Sequence, residues 1–240
     1  MKDPVRRIIA WILSTCAFSA LGLGGAPARA HQTLPGADNR AGIDWAQYGE
    51  SPPPNARING LLPDLRTLPP WNLSIERRSG DRRLLRFANT VWNSGVGPME
   101  LYGVHNRSTL QTTVAQRVFD ADDSYVDHVV GSFVWHPAHD HWHVGDFATY
   151  ELWSLADDGA TVLRTMSSDK LSYCLIDTDA VDPALPGFPT GRIYIGCGRL
   201  RQGLSIGWGD TYDADLPGQE LDVSEVPDGF YALVSTANPR

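Results

Sequence analysis

The sequence has little cysteine, no long stretch of helical hydrophobic period and no internal repeat. The missing 3.6-residue period speaks against a helical bundle, and the missing repeat against a solenoid. Three cysteines in 240 residues allow at most one internal pair. Basic residues are outnumbered, 20 Lys and Arg against 28 Asp and Glu, for a net charge of −8. That balance argues against nucleic acid and anionic membranes as partners. It would draw cationic ligands, although plain solubility is the simpler account of charge taken alone. No His-Glu-x-x-His occurs, which removes the usual zinc-protease motif. The apolar run Ile8 to Ala20 is interrupted by Ser14, Thr15 and Ser19 and dissolves into glycines, unlike a membrane span.

That run reads instead as the middle of a secretory signal peptide over residues 1–30. Lys2, Arg6 and Arg7 precede it, and Ala28-Arg29-Ala30 supplies the small residues of a cleavage site. The expectation is a secreted or periplasmic protein without stable membrane insertion. Cleavage after Ala30 removes four basic residues and one acidic one, leaving 16 against 27, a balance of −11. It also removes Cys16. Cys174 and Cys197 then remain as an even pair in an oxidising compartment, and a disulfide between them is expected, two separately buried thiols being the alternative. Residues 31–58, with Pro52-Pro53-Pro54 at their centre, read as an extended Pro/Gly-rich arm.

From residue 59 to residue 240 short strand signals alternate with turn signals. Candidate strands are Asn72 to Arg77, Arg83 to Asn93, Met99 to Tyr102, Gln111 to Phe119, Tyr125 to Val130, Ser132 to His136, His139 to Val144 and Phe147 to Trp153. Later ones are Thr161 to Met166, Tyr173 to Ile176, Arg192 to Ile195, Glu220 to Val223 and Phe230 to Ser235. The pattern predicts an all-β domain, an antiparallel β-sandwich with long irregular loops.

Four of the seven histidines lie in Phe133 to Phe147, FVWHPAHDHWHVGDF. His139, His141 and His143 stand at i, i+2 and i+4. On a strand they line one face, roughly 6–7 Å apart at the backbone. A helix would scatter them. Three imidazoles on one face are costly when protonated and favourable around a metal ion. Neutral nitrogen donors suit Cu(II) or Zn(II), and affinity favours copper. No carboxylate stands in register to close the site. His136 has the opposite parity and precedes Pro137, so it is not counted among the ligands.

Two further stretches carry chemistry when read with these histidines. Lys170 opens Lys-Leu-Ser-Tyr-Cys-Leu-Ile-Asp-Thr, ending at Thr178. Gln202 opens Gln-Gly-Leu-Ser-Ile-Gly, which leads to Asp210-Thr211-Tyr212. The order Trp135 to His143, Lys170 to Thr178, Gln202 to Tyr212 and Val226 to Pro239 resembles the lysyl oxidase catalytic domain, from about Leu61 onward. The resemblance implies a copper amine oxidase with His139, His141 and His143 as Cu(2+) ligands. It implies a lysine tyrosylquinone cofactor made from Lys170 and Tyr212. The implied reaction oxidises a primary amine, a small amine or the lysyl side chain of a peptide, with molecular oxygen, giving aldehyde, hydrogen peroxide and ammonia. A non-catalytic extracellular copper-binding protein is the alternative, and a cupin-like or zinc hydrolase site a third.

Asp146 matches a family aspartate after the histidines and is the candidate base, on the far face unless Gly145 bends the chain. A hydrogen-bonding role for it is an equal reading. Asp210 and Asp213 flank Tyr212, where they would attract a cationic amine, and solvated loop residues are the safer reading. The chain departs from vertebrate-type members at Ala138, Trp208 and Gly218, where those carry cysteines. It also stops at Arg240, where the family usually continues into a closing strand.

Overall fold

The computed structural model describes residues 60–156, 162–167 and 171–237. The expected signal peptide and arm, and Lys170, lie outside the described residues. Every described strand pairing is antiparallel, and the strands fall into two sheets. Among the described residues there is no helix, and none therefore long and apolar enough to cross a membrane.

The smaller sheet is built on β3 (Arg83–Asn93). Its sequence RLLRFANTVWN does not alternate cleanly, and nearly every residue is buried, as in a strand covered on both faces. Its first half pairs with β2 (Trp71–Arg77) and β13 (Glu220–Asp222), its second half with β1 (Leu65–Thr67) and β12 (Trp208–Tyr212). The two-residue β10 (Asp179–Ala180) extends the sheet beyond β12. Arg86, buried on β3, has its guanidinium satisfied: it donates to the Ala214 and Leu216 carbonyls and to Glu220 at 2.6–3.0 Å.

The larger sheet runs β11 (Arg201–Leu204), β4 (Met99–Asn106), β5 (Gln111–Phe119), β6 (Tyr125–His136), β7 (His141–Leu155), β14 (Phe230–Ala237). Two more strands, β8 (Val162–Ser167) and β9 (Leu171–Tyr173), also pair with β7. The segments Tyr125 to Val130 and Ser132 to His136 form one strand, interrupted by a register shift opposite Val114 and Ala115. Leu85, Phe87 and Val91 of β3 meet Leu101, Val114, Phe133, Tyr150 and Leu233 of the larger sheet in one core. Phe87 sits edge-on to Tyr150 at 4.6 Å. Each such side chain is worth roughly 1.5–3 kcal/mol when fully buried.

Three sequence expectations are corrected. Arg192 to Ile195 is not a strand, because the Asp177 carboxylate takes the Ile193 and Tyr194 N–H groups that a ladder would use. The glycine-rich segment at Trp208 to Tyr212, read as loop, is the inner strand β12. A Cβ at Gly209 would lie 2.5 Å from Thr90 Cγ2, so glycine permits the close approach of β12 to β3. The segment His139 to Val144 is not one strand: residues 137–140 form the turn between β6 and β7.

Candidate metal and cofactor site

The β6–β7 hairpin assembles the histidines. His136 is the last residue of β6 and pairs with His141, the first of β7. The His136 carbonyl accepts from the His139 and Asp140 N–H groups at 3.1 and 3.0 Å, and Asp140 takes the left-handed conformation, φ 56°, that closes the turn. His139 is therefore a turn residue, and strand alternation does not place it. Of His139, His141 and His143, only the last two share a strand face, which His136, directly opposite His141, also lines.

The imidazole nitrogens nevertheless converge. His143 Nε2 lies 3.2 Å from His139 Nδ1 and 2.9 Å from His141 Nε2. Metal–nitrogen bonds of about 2.0–2.1 Å at angles of about 90–105° separate neighbouring ligand nitrogens by about 2.9–3.3 Å. Each of these two separations, His139 to His143 and His141 to His143, fits a pair of ligands on one ion. The opposite edges of two rings fix which nitrogen is free. His139 Nε2 lies 2.9 Å from the Pro217 carbonyl, which can only accept, so that nitrogen carries the proton and Nδ1 offers its lone pair. His143 Nδ1 lies 3.0 Å from Ser172 Oγ, leaving Nε2 toward the other rings. Such outer contacts orient metal-binding imidazoles.

Electrostatics favour the neutral ring at His143, His141 and His136. Burial first, and then the neighbouring histidines, push His143 down to about 3. Burial and the neighbouring imidazoles also lower His141 and His136. His136, set aside on parity, is brought into the cluster: its ring stacks on that of His143 at 4.5 Å and 16°. The parity argument assumed one continuous strand, and the turn resets it. His136 Nδ1 is buried without a hydrogen-bond partner among the described residues. Together His136, His139 and His143 present ligand atoms within 4.8 Å of one another.

Tyr212, at the end of β12, comes from the other sheet to the same place. Its ring centroid lies 6.2 Å from that of His139 and 6.4 Å from that of His143. It is buried, and its hydroxyl accepts from the Cys174 N–H at 2.8 Å. Burial, followed by the nearby Asp210 carboxyl, raises its pKa far above the ordinary phenol value. The Tyr173 ring packs on it at 4.1 Å. Tyr173 in turn bonds the Tyr150 hydroxyl, which accepts from Gln219 Nε2 at 2.9 Å. Lys170 immediately precedes β9, whose Ser172 and Tyr173 make these contacts.

The remaining acids separate. Asp146 is exposed, at φ 54°, in the irregular stretch between Val144 and Ala148 where β7 leaves register with β9. The chain does bend at Gly145–Asp146, so strand parity does not govern this aspartate. Asp213 is exposed, as expected of a loop residue. Asp210 is not: it is 2% exposed. Burial raises its pKa well above the carboxylate range, against the Ile176 N–H that lowers it. β12 lies between β3 and β10 and carries Asp210 inward.

The expected disulfide is present between Cys174 and Cys197. Sequence reasoning missed Ser172 and the Pro217 carbonyl as partners of the histidines. It also missed Asp177, whose carboxylate is wholly buried and accepts from Ile193 N, Tyr194 N, Ser205 N and Ser205 Oγ at 2.7–3.1 Å. Ser172 and Asp177 lie inside the motif quoted above. A carbonyl leaves no signature in sequence.

Fold and site define a two-sheet β protein with a cluster of closely packed imidazoles next to a buried tyrosine. The family model described as lysyl oxidase matches residues 101–240, and the chain belongs to that family. It is similar to protein-lysine 6-oxidase of Sus scrofa, 35% identical over 109 residues, 45% of this chain and 39% of that protein. Lysyl oxidase homolog 1 of Homo sapiens is 35% identical over 107 residues, 44% of this chain and 17% of that protein. Lysyl oxidase homolog 3B of Danio rerio is 27% identical over 162 residues, 67% of this chain and 16% of that protein. The aligned part thus spans well under half the length of these curated relatives.

Proposed function

We propose that this chain is a copper-dependent amine oxidase that acts on primary amines, among them the lysyl side chain, outside the cytoplasm. The observation that carries the reading is the approach of His139 Nδ1 and His141 Nε2 to His143 Nε2, beside a buried tyrosine, in a member of the lysyl oxidase family. His139, His141 and His143 would hold Cu(2+), and Lys170 and Tyr212 would supply the lysine tyrosylquinone. When bound, these groups supply an electrophilic carbonyl and an electron sink that, with oxygen, turn an amine into aldehyde, ammonia and hydrogen peroxide.

The chain's own residues do the rest. The Pro217 carbonyl and Ser172 hydroxyl orient the His139 and His143 rings. Burial keeps His143 neutral and ready to bind at neutral pH. The Cys174 amide holds the Tyr212 hydroxyl, and Tyr173 covers one side of its ring. Asp146 is the proposed base: it is exposed next to the histidine strand, where an incoming substrate can reach it. An acidic surface and a disulfide agree with an exported protein that meets cationic side chains.

The test is tryptic mass spectrometry of copper-loaded protein, with phenylhydrazine as a carbonyl probe. A peptide joining Lys170 to Tyr212 and a phenylhydrazine adduct are expected. Two unmodified peptides in folded, copper-containing protein would refute the oxidase reading and leave a histidine metal site without its redox partner.

A further inference from the structure

The Cys174–Cys197 disulfide lies against the histidine cluster. His141 and the two sulfurs present ligand atoms that all fall within 4.8 Å of one another. We infer that the disulfide masks a second metal site: on reduction, Cys174, Cys197 and His141 form a two-sulfur, one-nitrogen site for a soft d10 cation, Zn(II) or Cu(I).

The inference needs the two thiols to stay together once the S–S bond is gone, and the surrounding contacts provide for that. The Cys174 N–H donates to the Tyr212 hydroxyl at 2.8 Å. The Cys197 carbonyl accepts from the Trp142 N–H, next to His141, at 3.1 Å. Gln202, fully buried, bonds the residue after each cysteine: its Oε1 accepts from Leu175 N at 3.1 Å and its Nε2 donates to the Gly198 carbonyl at 3.1 Å. The same Nε2 reaches the Trp142 carbonyl at 2.7 Å. Asp177 draws Ile193, Tyr194 and Ser205 to one carboxylate and so closes the loop independently of sulfur. Each cysteine is thus anchored by backbone hydrogen bonds to the strand or side chain beside it.

The chemistry follows from the donors. A dithiol reductant attacks Cys197, which is the more exposed of the two. The S–S electron pair leaves on Cys174, and the reductant closes to its own disulfide. Two electrons and two protons are taken up, giving two thiols. Binding of the cation releases those two protons, because thiolate is the ligand form. Thiolate with imidazole selects Zn(II) and Cu(I) over harder ions. His141 belongs to both donor sets, so the redox state of the pair decides which ligands surround it. The inference does not depend on the amine oxidase reading, since it involves neither Lys170 nor quinone formation.

The experiment titrates Co(II), a spectroscopic stand-in for Zn(II), into the whole protein, oxidised and after anaerobic reduction. A thiolate-to-cobalt charge-transfer band is expected only in the reduced protein, saturating at one equivalent and displaced by one equivalent of Zn(II). Cys174→Ser and Cys197→Ser should lose most of the band. His141→Ala should weaken Co(II) binding by at least the roughly tenfold that losing even an outer-shell partner costs. His139→Ala, which removes an imidazole of the other set, should leave the band within about twofold of the reduced wild type. Near-UV circular dichroism of the reduced protein reports whether the fold persists. Loss of that signal, Co(II) binding without the band, or a band equally weakened by His139→Ala and His141→Ala would each overturn the inference. None of these readouts changes if Lys170 and Tyr212 fail to cross-link.

Discussion

Replacing Asp177 should destabilise the domain more than any surface change, and the structure sets the scale. Its carboxylate is wholly buried and accepts four hydrogen bonds, three from backbone N–H groups of Ile193, Tyr194 and Ser205 and one from Ser205 Oγ. Bonds to a charged acceptor contribute about 1.5–3 kcal/mol each, and a buried donor left unpaired costs about 1–3 kcal/mol. Asp177→Ala orphans three backbone donors. Water can relieve the half-buried Ile193 amide, but Tyr194 and Ser205 are buried. The expected loss is roughly 3–5 kcal/mol, a large share of the ~5–15 kcal/mol by which domains are stable. Asp177→Asn keeps one acceptor and turns an NH2 group against donors, for about 2–4 kcal/mol. Urea unfolding of the oxidised protein at neutral pH measures both, with Asp215→Asn as the comparison. Asp215 is exposed, and its change should stay within about 0.5 kcal/mol. A loss below about 1 kcal/mol for Asp177→Ala, at unchanged slope in urea, would refute the view that this carboxylate closes the loop.

Asp210 offers a pH test. Its folded-state pKa is raised, chiefly by burial, so above about pH 4 the unfolded chain releases a proton that the folded chain keeps. Stability from this group is full in acid and declines as pH rises toward the folded pKa. Asp210→Asn should therefore raise the melting temperature more at pH 8 than at pH 4, and an equal shift at both would refute the assignment. Ser172→Ala removes the partner of His143 Nδ1. Copper affinity should fall roughly 10–100-fold in chelator competition, with only about 1 kcal/mol lost from stability.

The all-β class, most strands and the disulfide were legible because turn residues, β-branched runs and a single cysteine pair are local signals. The histidine-rich stretch was legible as a cluster, but the sequence reading left His136 out of it and did not foresee how it is built. His139 reaches the site by a turn, and His136 enters it because that turn cancels the parity that excluded it. Asp210 was misread for the same kind of reason: Gly207, Gly209 and Asp210 have loop composition, yet β3 and β10 flank the segment and make it a buried strand.

By itself, the sequence determined which reactive groups are present: four closely spaced imidazoles, a lysine and a tyrosine in ordered motifs, and two cysteines 23 residues apart among the three in the chain. Those are covalent facts, fixed by residue identity and short spacing. Tertiary structure alone decided which atoms face one another. It brings Tyr212 from one sheet to the histidines of the other, sets the free nitrogen of His139 through a carbonyl 78 residues away, and lays the disulfide against His141. Such contacts depend on how two sheets close over a shared core. Their energy comes from desolvation and hydrogen bonding between distant segments, which no local pattern of residues encodes.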